Sequence, residues 1–228
     1  MVNLIVAEAE LELIPEQIAR RPAARASAGR RNRRAEECLL DSSLHHSAMK
    51  GLSDAERRGR PDIVHFCLLL ALDSSINSSG KLRTFVHTRN DIVIGFDRTA
   101  RLPRNYGRFT GLMEELLLNG RIGTGDRTLA SVREMSLPAL VSELGADAFI
   151  FSREGRPDHN LSCISREADA TLIIGGFPHG DFNPDTTKFR HDVLSLSGER
   201  LMAWTAVSLI LSHYHTYRPY RPIRETAI

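Results

Sequence analysis

The apolar positions of this chain change their rhythm along its length. Over residues 3–14, Val, Ile and Leu alternate with Glu, which is the period of a half-buried strand, and Pro15 ends it. Residues 38–41 (Cys-Leu-Leu-Asp) predict a short buried strand closed by a polar turn over residues 42–46. Residues 62–72 place apolar side chains at helical spacing, with Pro61 at the start and residues 77–80 as the stop. Two β-type runs, residues 82–87 and 92–96, are joined by Thr88-Arg-Asn-Asp91 and predict a hairpin. A second helix is expected over residues 109–118, closed by Asn119-Gly120. The glycine-rich run 120–125 follows a helix and lacks the Lys-Ser/Thr of a phosphate loop, so a flexible connection is expected there.

From Leu137 onward helix and strand alternate, which favours a parallel sheet flanked by helices. The expected elements are a helix over 137–144, strands over 148–151, 171–174 and 192–196, and a last helix from Leu201 to about His215. Prolines at 219 and 222 make the tail, residues 217–224, extended. No internal repeat is visible.

Composition changes this picture little. At 228 residues, with 42% hydrophobic and 25% charged residues, the chain suits one globular domain carrying an insertion. Its longest apolar run, residues 201–212, is too short to span a membrane, and the N-terminus lacks the pattern of a signal peptide, so a cytoplasmic location is expected. Cys38, Cys67 and Cys163 are too far apart for a zinc spacing and odd in number, so they read as reduced, mostly buried thiols.

Charge is more informative in kind than in amount. The net charge is only +2, yet just Lys50, Lys81 and Lys188 among the 30 basic residues are lysine. Arginine grips phosphate with a planar fork and stacks on bases, which suits RNA, although codon preference explains the bias equally well. Residues 20–34 hold seven arginines among Ala, Gly and Ser, and read either as a helix end with a solvated loop or as an RNA-contacting arm.

Two groupings could carry chemistry. Ser152-Arg-Glu-Gly155, Gly175-Gly-Phe-Pro-His-Gly180 and Ser195-Leu-Ser-Gly198 all leave predicted strand ends. In an open parallel sheet that is where ligands bind, and glycine lets the backbone approach them, though strand-end glycines are also ordinary turn residues. The spacing is not a dinucleotide fingerprint. The second grouping is Arg60-Pro-Asp62 with Arg101, Arg104 and Arg108, whose guanidinium groups recur at a spacing that lets them converge on phosphates. The alternative is a solvated helix rim paired to Asp97 and Glu114. His45-His46 and His213-Tyr-His215 make poor metal sites because a third ligand is missing, and a Gly-x-Ser-x-Gly elbow is absent.

Longer stretches are more specific. Leu39-Leu-Asp-Ser-Ser-Leu-His-His46, Arg60-Pro-Asp-Ile-Val-His-Phe-Cys-Leu-Leu-Leu-Ala-Leu-Asp-Ser-Ser-Ile-Asn-Ser-Ser-Gly-Lys-Leu82 and Arg101-Leu-Pro-Arg-Asn-Tyr-Gly-Arg-Phe-Thr-Gly-Leu-Met113 stand in order along the chain. Leu172-Ile-Ile-Gly-Gly-Phe-Pro-His-Gly-Asp-Phe182 and Val193-Leu-Ser-Leu-Ser-Gly198 follow. Together they resemble the archaeal and eukaryotic ribosome-biogenesis pseudouridine N1-methyltransferases, over most of residues 36–118 and 171–210. One departure is Ser75, where that family's pattern has Pro after Asp-Ser.

The resemblance implies an α/β fold of SPOUT type: a parallel sheet flanked by helices, with a C-terminal trefoil knot over about 145–215 and an inserted RNA-binding α/β extension over about 53–109, in one domain spanning 1–228. It implies S-adenosylmethionine as cofactor and S-adenosylhomocysteine as product, held mainly by backbone at Gly175, Gly180, Val193, Leu194, Ser195, Leu196, Ser197 and Gly198. It further implies a homodimer, no metal, and a small-subunit rRNA hairpin gripped by Arg60, Asp62, Arg101, Arg104 and Arg108, with ribosomal proteins or assembly factors as further partners. Asp62 is then either a base for the N1 proton or the residue that orients Arg60. The competing expectations are an RNA-binding assembly factor acting without methylation and a SPOUT enzyme of transfer RNA.

Overall fold

The computed structural model describes residues 1–162, 164, 169–187 and 192–216. The predicted extended tail, 217–224, and Cys163 lie outside the described residues.

The chain opens with β1 (Val2–Ala9), followed by the short helix α1 (Glu16–Ala19) and by α2 (Pro22–Gly29). A one-turn helix over Ala35–Glu37 precedes α3 (Ser42–His45). Next come α4 (Pro61–Leu72), α5 (Ser75–Ser78), β2 (Leu82–Thr88), β3 (Ile92–Phe96) and α6 (Tyr106–Asn119). Two strands, β4 (Arg121–Thr124) and β5 (Arg127–Glu134), lead to α7 (Leu137–Leu144). The remainder is β6 (Asp147–Pro157), β7 (Ala170–Gly175), α8 (Pro184–Thr187), β8 (Asp192–Ser195) and α9 (Ala203–Thr216).

The strands form one sheet in the order β4-β5-β3-β2-β1-β7-β6-β8. The half from β2 to β8 is parallel: β1 pairs with β2 and β7, and β6 with β7 and β8. β3, β5 and β4 extend the other edge in antiparallel fashion. A strand covered on both faces needs apolar side chains on both, and every residue of β1 is buried. Its alternate positions divide between two cores: Leu4 and Val6 face α4, α6 and α9, while Ile5 and Ala7 face α7. Each such fully buried Leu or Ile side chain contributes about 1.5–3 kcal/mol.

Several expectations need correction. The first strand ends at Ala9 rather than at residue 14, and near its end the left-handed conformation of Glu8 (φ 48°) shifts the register against β2 before the last pair, Ala9 with Thr88. The expected strand over residues 38–41 reduces to a single bridge between Leu13 and Leu39, and the polar turn after it is α3, capped by Asp41 accepting from the Ser43 N–H. The run 120–125 is not a flexible connection: it enters β4, whose hairpin with β5 adds two strands that local patterning did not announce. α6 begins three residues early because the Asn105 side chain caps the Arg108 N–H at 3.0 Å. Ser75 stands at the first residue of α5, the position where proline is well tolerated, so the departure from the family pattern leaves the backbone unaltered.

Candidate active site

At the carboxyl ends of β6, β7 and β8 lies a cavity of about 520 Å³, closed on its far side by the start of α9 and by Ile63 of α4. All three strand-end loops contribute to it, through Ser152 to Glu154, Gly175 to Phe182, and Ser195 to Ser197. The first loop owes its position to a bulge. Phe151 and Arg156 both pair with Leu194 of β8, so residues 152–155 are extra and are thrown out over the cavity. Only glycine fits at 155, where a Cβ would lie 2.5–2.7 Å from backbone atoms of Leu194. The Ser152 hydroxyl donates to Asp181 Oδ2 at 2.8 Å and ties the first loop to the second.

Among the residues expected to hold a cofactor, Gly175, Gly180, Ser195, Leu196 and Ser197 line the cavity. Leu194 is fully buried behind it, Val193 packs toward α7, and Gly198 lies outside the lining. Sequence reasoning did not single out Phe151, Phe177, Asp181, Phe182, Met202 or Trp204, which supply much of the wall. The apolar and aromatic ones were indistinguishable from core residues in the sequence.

Arg60 and Asp62 stand at the start of α4, and Arg101, Arg104 and Arg108 lie in the turn before α6 and in its first turn, where Arg104 reaches Asp73 at the far end of α4. Arg60 donates from Nε and Nη2 to the two carboxylate oxygens of Asp62, each at 2.8 Å, and that pairing raises the guanidinium pKa. Tyr106, in the first turn of α6, donates to Asp41 at 2.5 Å, and burial followed by this bond pushes its hydroxyl pKa well up. His65 of α4 stacks on Phe109 at 4.2 Å, and its Nε2 lies 2.8 Å from the Pro103 carbonyl, which pins the arginine-bearing turn to α4. Arg101, Arg104 and Arg108 are exposed. The acids of the helix-rim alternative serve other arginines: Asp97 pairs with Arg127 at 3.3 Å, and the buried Glu114 with Arg31 and Arg33. Arg104 has instead Asp73 at 3.6 Å.

Residue order joins the two features. Ile63, which lines the cavity, lies in the first turn of α4, the turn that also carries Asp62 and follows Arg60. The seven-arginine stretch, residues 20–34, folds as α2 and the turns on either side of it. Arg21 there donates to the Ala48 carbonyl at 2.9 Å, and Arg31 and Arg33 lie against α6 through Glu114. His45 lies 2.6 Å from the Ser27 hydroxyl and His215 2.8 Å from that of Ser75. Cys38 and Cys67 are free and buried, and burial pushes the Cys67 thiol up to about 12. Among the described residues no three His, Cys, Asp or Glu side chains gather as metal ligands, and no helix is long and apolar enough to cross a membrane.

A ligand-sized cavity at the open end of a parallel sheet, with the exposed Arg153 and Arg200 in its lining, is the layout of a small-molecule site open to an anionic partner. The profile of the EMG1/NEP1 methyltransferase family matches residues 4–215, and the chain belongs to that family. It is 46% identical over 218 residues to the ribosomal RNA small subunit methyltransferase Nep1 of Thermococcus kodakarensis, covering 94% of this chain and 97% of that one. The Nep1 of Pyrococcus furiosus is 45% identical, with 93% and 96% covered. The crystal structure of Archaeoglobus fulgidus Nep1 bound to S-adenosylhomocysteine superposes with a TM-score of 0.85 at 42% identity, covering 93% of this chain and 96% of that one.

Proposed function

We propose that this protein transfers a methyl group from S-adenosylmethionine to N1 of a pseudouridine in a hairpin loop of small-subunit rRNA, and so takes part in building that subunit. The observation that carries the reading is a cavity of donor size where the loops after β6, β7 and β8 converge, with Ile63 of α4, the helix that begins at the Arg60–Asp62 pair, in its wall. When bound, the donor supplies an electrophilic methyl on a positive sulfur; the S–C bond breaks as the N1–C bond forms, the N1 proton passes to water, and S-adenosylhomocysteine remains.

The cavity suits such a molecule. Phe151, Phe177, Phe182, Leu196, Met202 and Trp204 offer apolar surface to a purine and a thioether chain, and Glu154, Asp181 and Glu199 offer negative charge to a sulfonium and an amine. Gly175, Gly180 and Ser195 to Ser197 present backbone there; Val193, Leu194 and Gly198 act by holding that backbone from behind and beyond. Arg60, Arg101, Arg104 and Arg108 grip phosphates flanking a base turned out of its loop. Both oxygens of Asp62 already accept from Arg60, so its role is to aim that guanidinium rather than to take the N1 proton. Positioning of N1 in line with the methyl then dominates catalysis.

We further infer that residues of about 145–215 form a trefoil knot. β8 lies at the sheet edge, yet α9 after it returns to pack on α4 and β7, and this return across the sheet supports threading. The insertion that binds RNA spans about 53–109, the unit is a homodimer, and the enzyme works in the cytoplasm alongside ribosomal proteins and assembly factors.

Incubating the protein with labelled donor and a pseudouridine-bearing hairpin tests the reading. The expected product is N1-methylpseudouridine, identified by mass spectrometry of the nucleosides. Tight hairpin binding with no methyl transfer would favour an assembly factor, and transfer to an unmodified transfer RNA guanosine would favour the third class.

A further inference from the structure

The end of β1 carries three carboxylates that the proposed reaction leaves without a task. Glu8, Glu10 and Glu12 are 3%, 1% and 6% exposed. A carboxylate so placed stays ionised only when paired, and each finds arginine. Glu12 takes a two-pronged bond from Arg58 at 2.7 Å on each oxygen, and Glu10 accepts from Arg89 at 2.8 Å. These pairs tie together neighbouring parts of the N-terminal half.

Arg57 reaches further. Its Nη2 donates to Glu8 at 2.7 Å and its Nε to Glu10 at 3.0 Å, while Nη1 donates to the Asp181 carbonyl at 2.8 Å. The guanidinium also lies 3.8 Å from the ring centroid of Phe177, a cation–π contact. Phe177 and Asp181 line the cavity, whereas Arg57 lies behind them and outside the lining. Glu8 completes the grip from the same side. Its carboxylate accepts from the Asn183 N–H at 3.0 and 3.1 Å and from the Thr186 hydroxyl at 2.6 Å.

The backbone of Glu8 is shaped for this. A regular continuation of β1 would send residue 8 into the same core as Leu4 and Val6. The left-handed turn at Glu8 redirects the carboxylate toward the loop, in a conformation that is costly for any residue with a Cβ. Residues 176–183 contain no regular structure, so their order has to come from such contacts or from the ligand itself.

We propose that Arg57 and Glu8 are positioning residues of the methyl-donor site, a two-residue clasp that holds residues 177–186 in the donor-binding shape before the donor arrives. The inference rests on the reading of the cavity as the donor site.

The test measures S-adenosylmethionine binding by calorimetry, together with hairpin affinity, methylation kinetics and melting temperature, in wild type, Arg57→Met, Arg57→Lys, Thr186→Val and the double variant Glu8→Gln/Arg57→Met. Wild type without donor affinity would sink the functional reading itself, which keeps the two failures apart. With wild-type binding in place, Arg57→Met should weaken donor affinity about tenfold or more. Hairpin affinity and kcat at saturating donor should stay within about twofold. Arg57→Lys should recover part of the loss. The double variant, which removes the orphaned charge, should regain melting temperature without regaining donor affinity. Donor affinity that recovers together with melting temperature, or hairpin affinity that falls as far as donor affinity, overturns the proposal. Should Arg57→Met fail to fold, Thr186→Val decides, since it deletes one hydroxyl outside the cavity lining: a loss of about threefold in donor affinity is expected, and no loss overturns the clasp.

Discussion

Arg104 projects from the turn ahead of α6 with 86% of its side chain exposed, and Asp73 at 3.6 Å is its ion-pair partner. An exposed pair of that geometry contributes about 0–1 kcal/mol, so stability gives no reason for an arginine here. A phosphate contact does. If Arg104 neutralises one phosphate of the hairpin, Arg104→Ala should flatten the dependence of log affinity on log salt by about 0.7–0.9, while melting temperature and donor affinity stay as in wild type. Calorimetry and a salt series on the same protein check this, and a variant that loses donor affinity while keeping its salt slope contradicts the assignment. That Arg101, Arg104 and Arg108 stand exposed was legible in the sequence, because arginines in a Pro-containing turn rarely enter a core. Glu114 was not. Its pattern suggested a rim acid for Arg101 to Arg108, but it is buried and accepts from Arg31 and from the Leu39 N–H at 3.0 Å. Those partners lie 83 and 75 positions away in the chain, beyond the reach of any local period.

At the scale of elements, the expected strands and helices from residue 61 onward were mostly found, because buried strands and amphipathic helices announce themselves in five to ten residues. What was missed depends on pairing partners. Residues 127–134 alternate only weakly, and β5 becomes a strand because β3 and β4 pair on either side of it. Likewise the run after Phe151 is polar and reads as a loop, yet β6 resumes at Arg156 against the same residue of β8 that Phe151 pairs with. The resulting bulge is what aims Ser152 to Glu154 into the cavity, and it depends on Gly155 meeting the Leu194 backbone without a side chain between them. Gly155→Ala should therefore push β8 and the Ser195 to Ser197 wall outward. A loss of about tenfold or more in donor affinity is expected, at a stability cost of about 1–3 kcal/mol for the overpacked contact. Chemical denaturation and donor titration measure the two separately, and an alanine variant with wild-type donor affinity would show that the wall tolerates the shift.

For the whole molecule, the surface over α4 and α9 is the feature that a lone chain does not explain. Phe66 and Leu70 share one face of α4, and Met202 and Leu209, seven residues apart, share one face at and along α9. They are 51%, 38%, 44% and 45% exposed, and the Phe66 ring lies 5.2 Å from that of Trp204. A strip of large apolar side chains on two packed helices is costly in water and marks a protein-binding face. Its self-complementary use by a second copy would account for the expected homodimer. Trp204 and Met202 also line the cavity, so covering this face would shield the donor site from solvent along one wall. Leu209→Glu, whose residue is outside the cavity lining, separates these consequences. Light scattering at tens of micromolar should report a dimer for wild type and a monomer for the variant, because an interface core does not accept unpaired charge. The variant's melting temperature should fall as well, since exposed α9 loses its cover, and donor affinity should drop with dissociation rather than independently of it. A wild-type protein that runs as a monomer at that concentration removes the dimer, and with it the reason for this apolar strip beside the site.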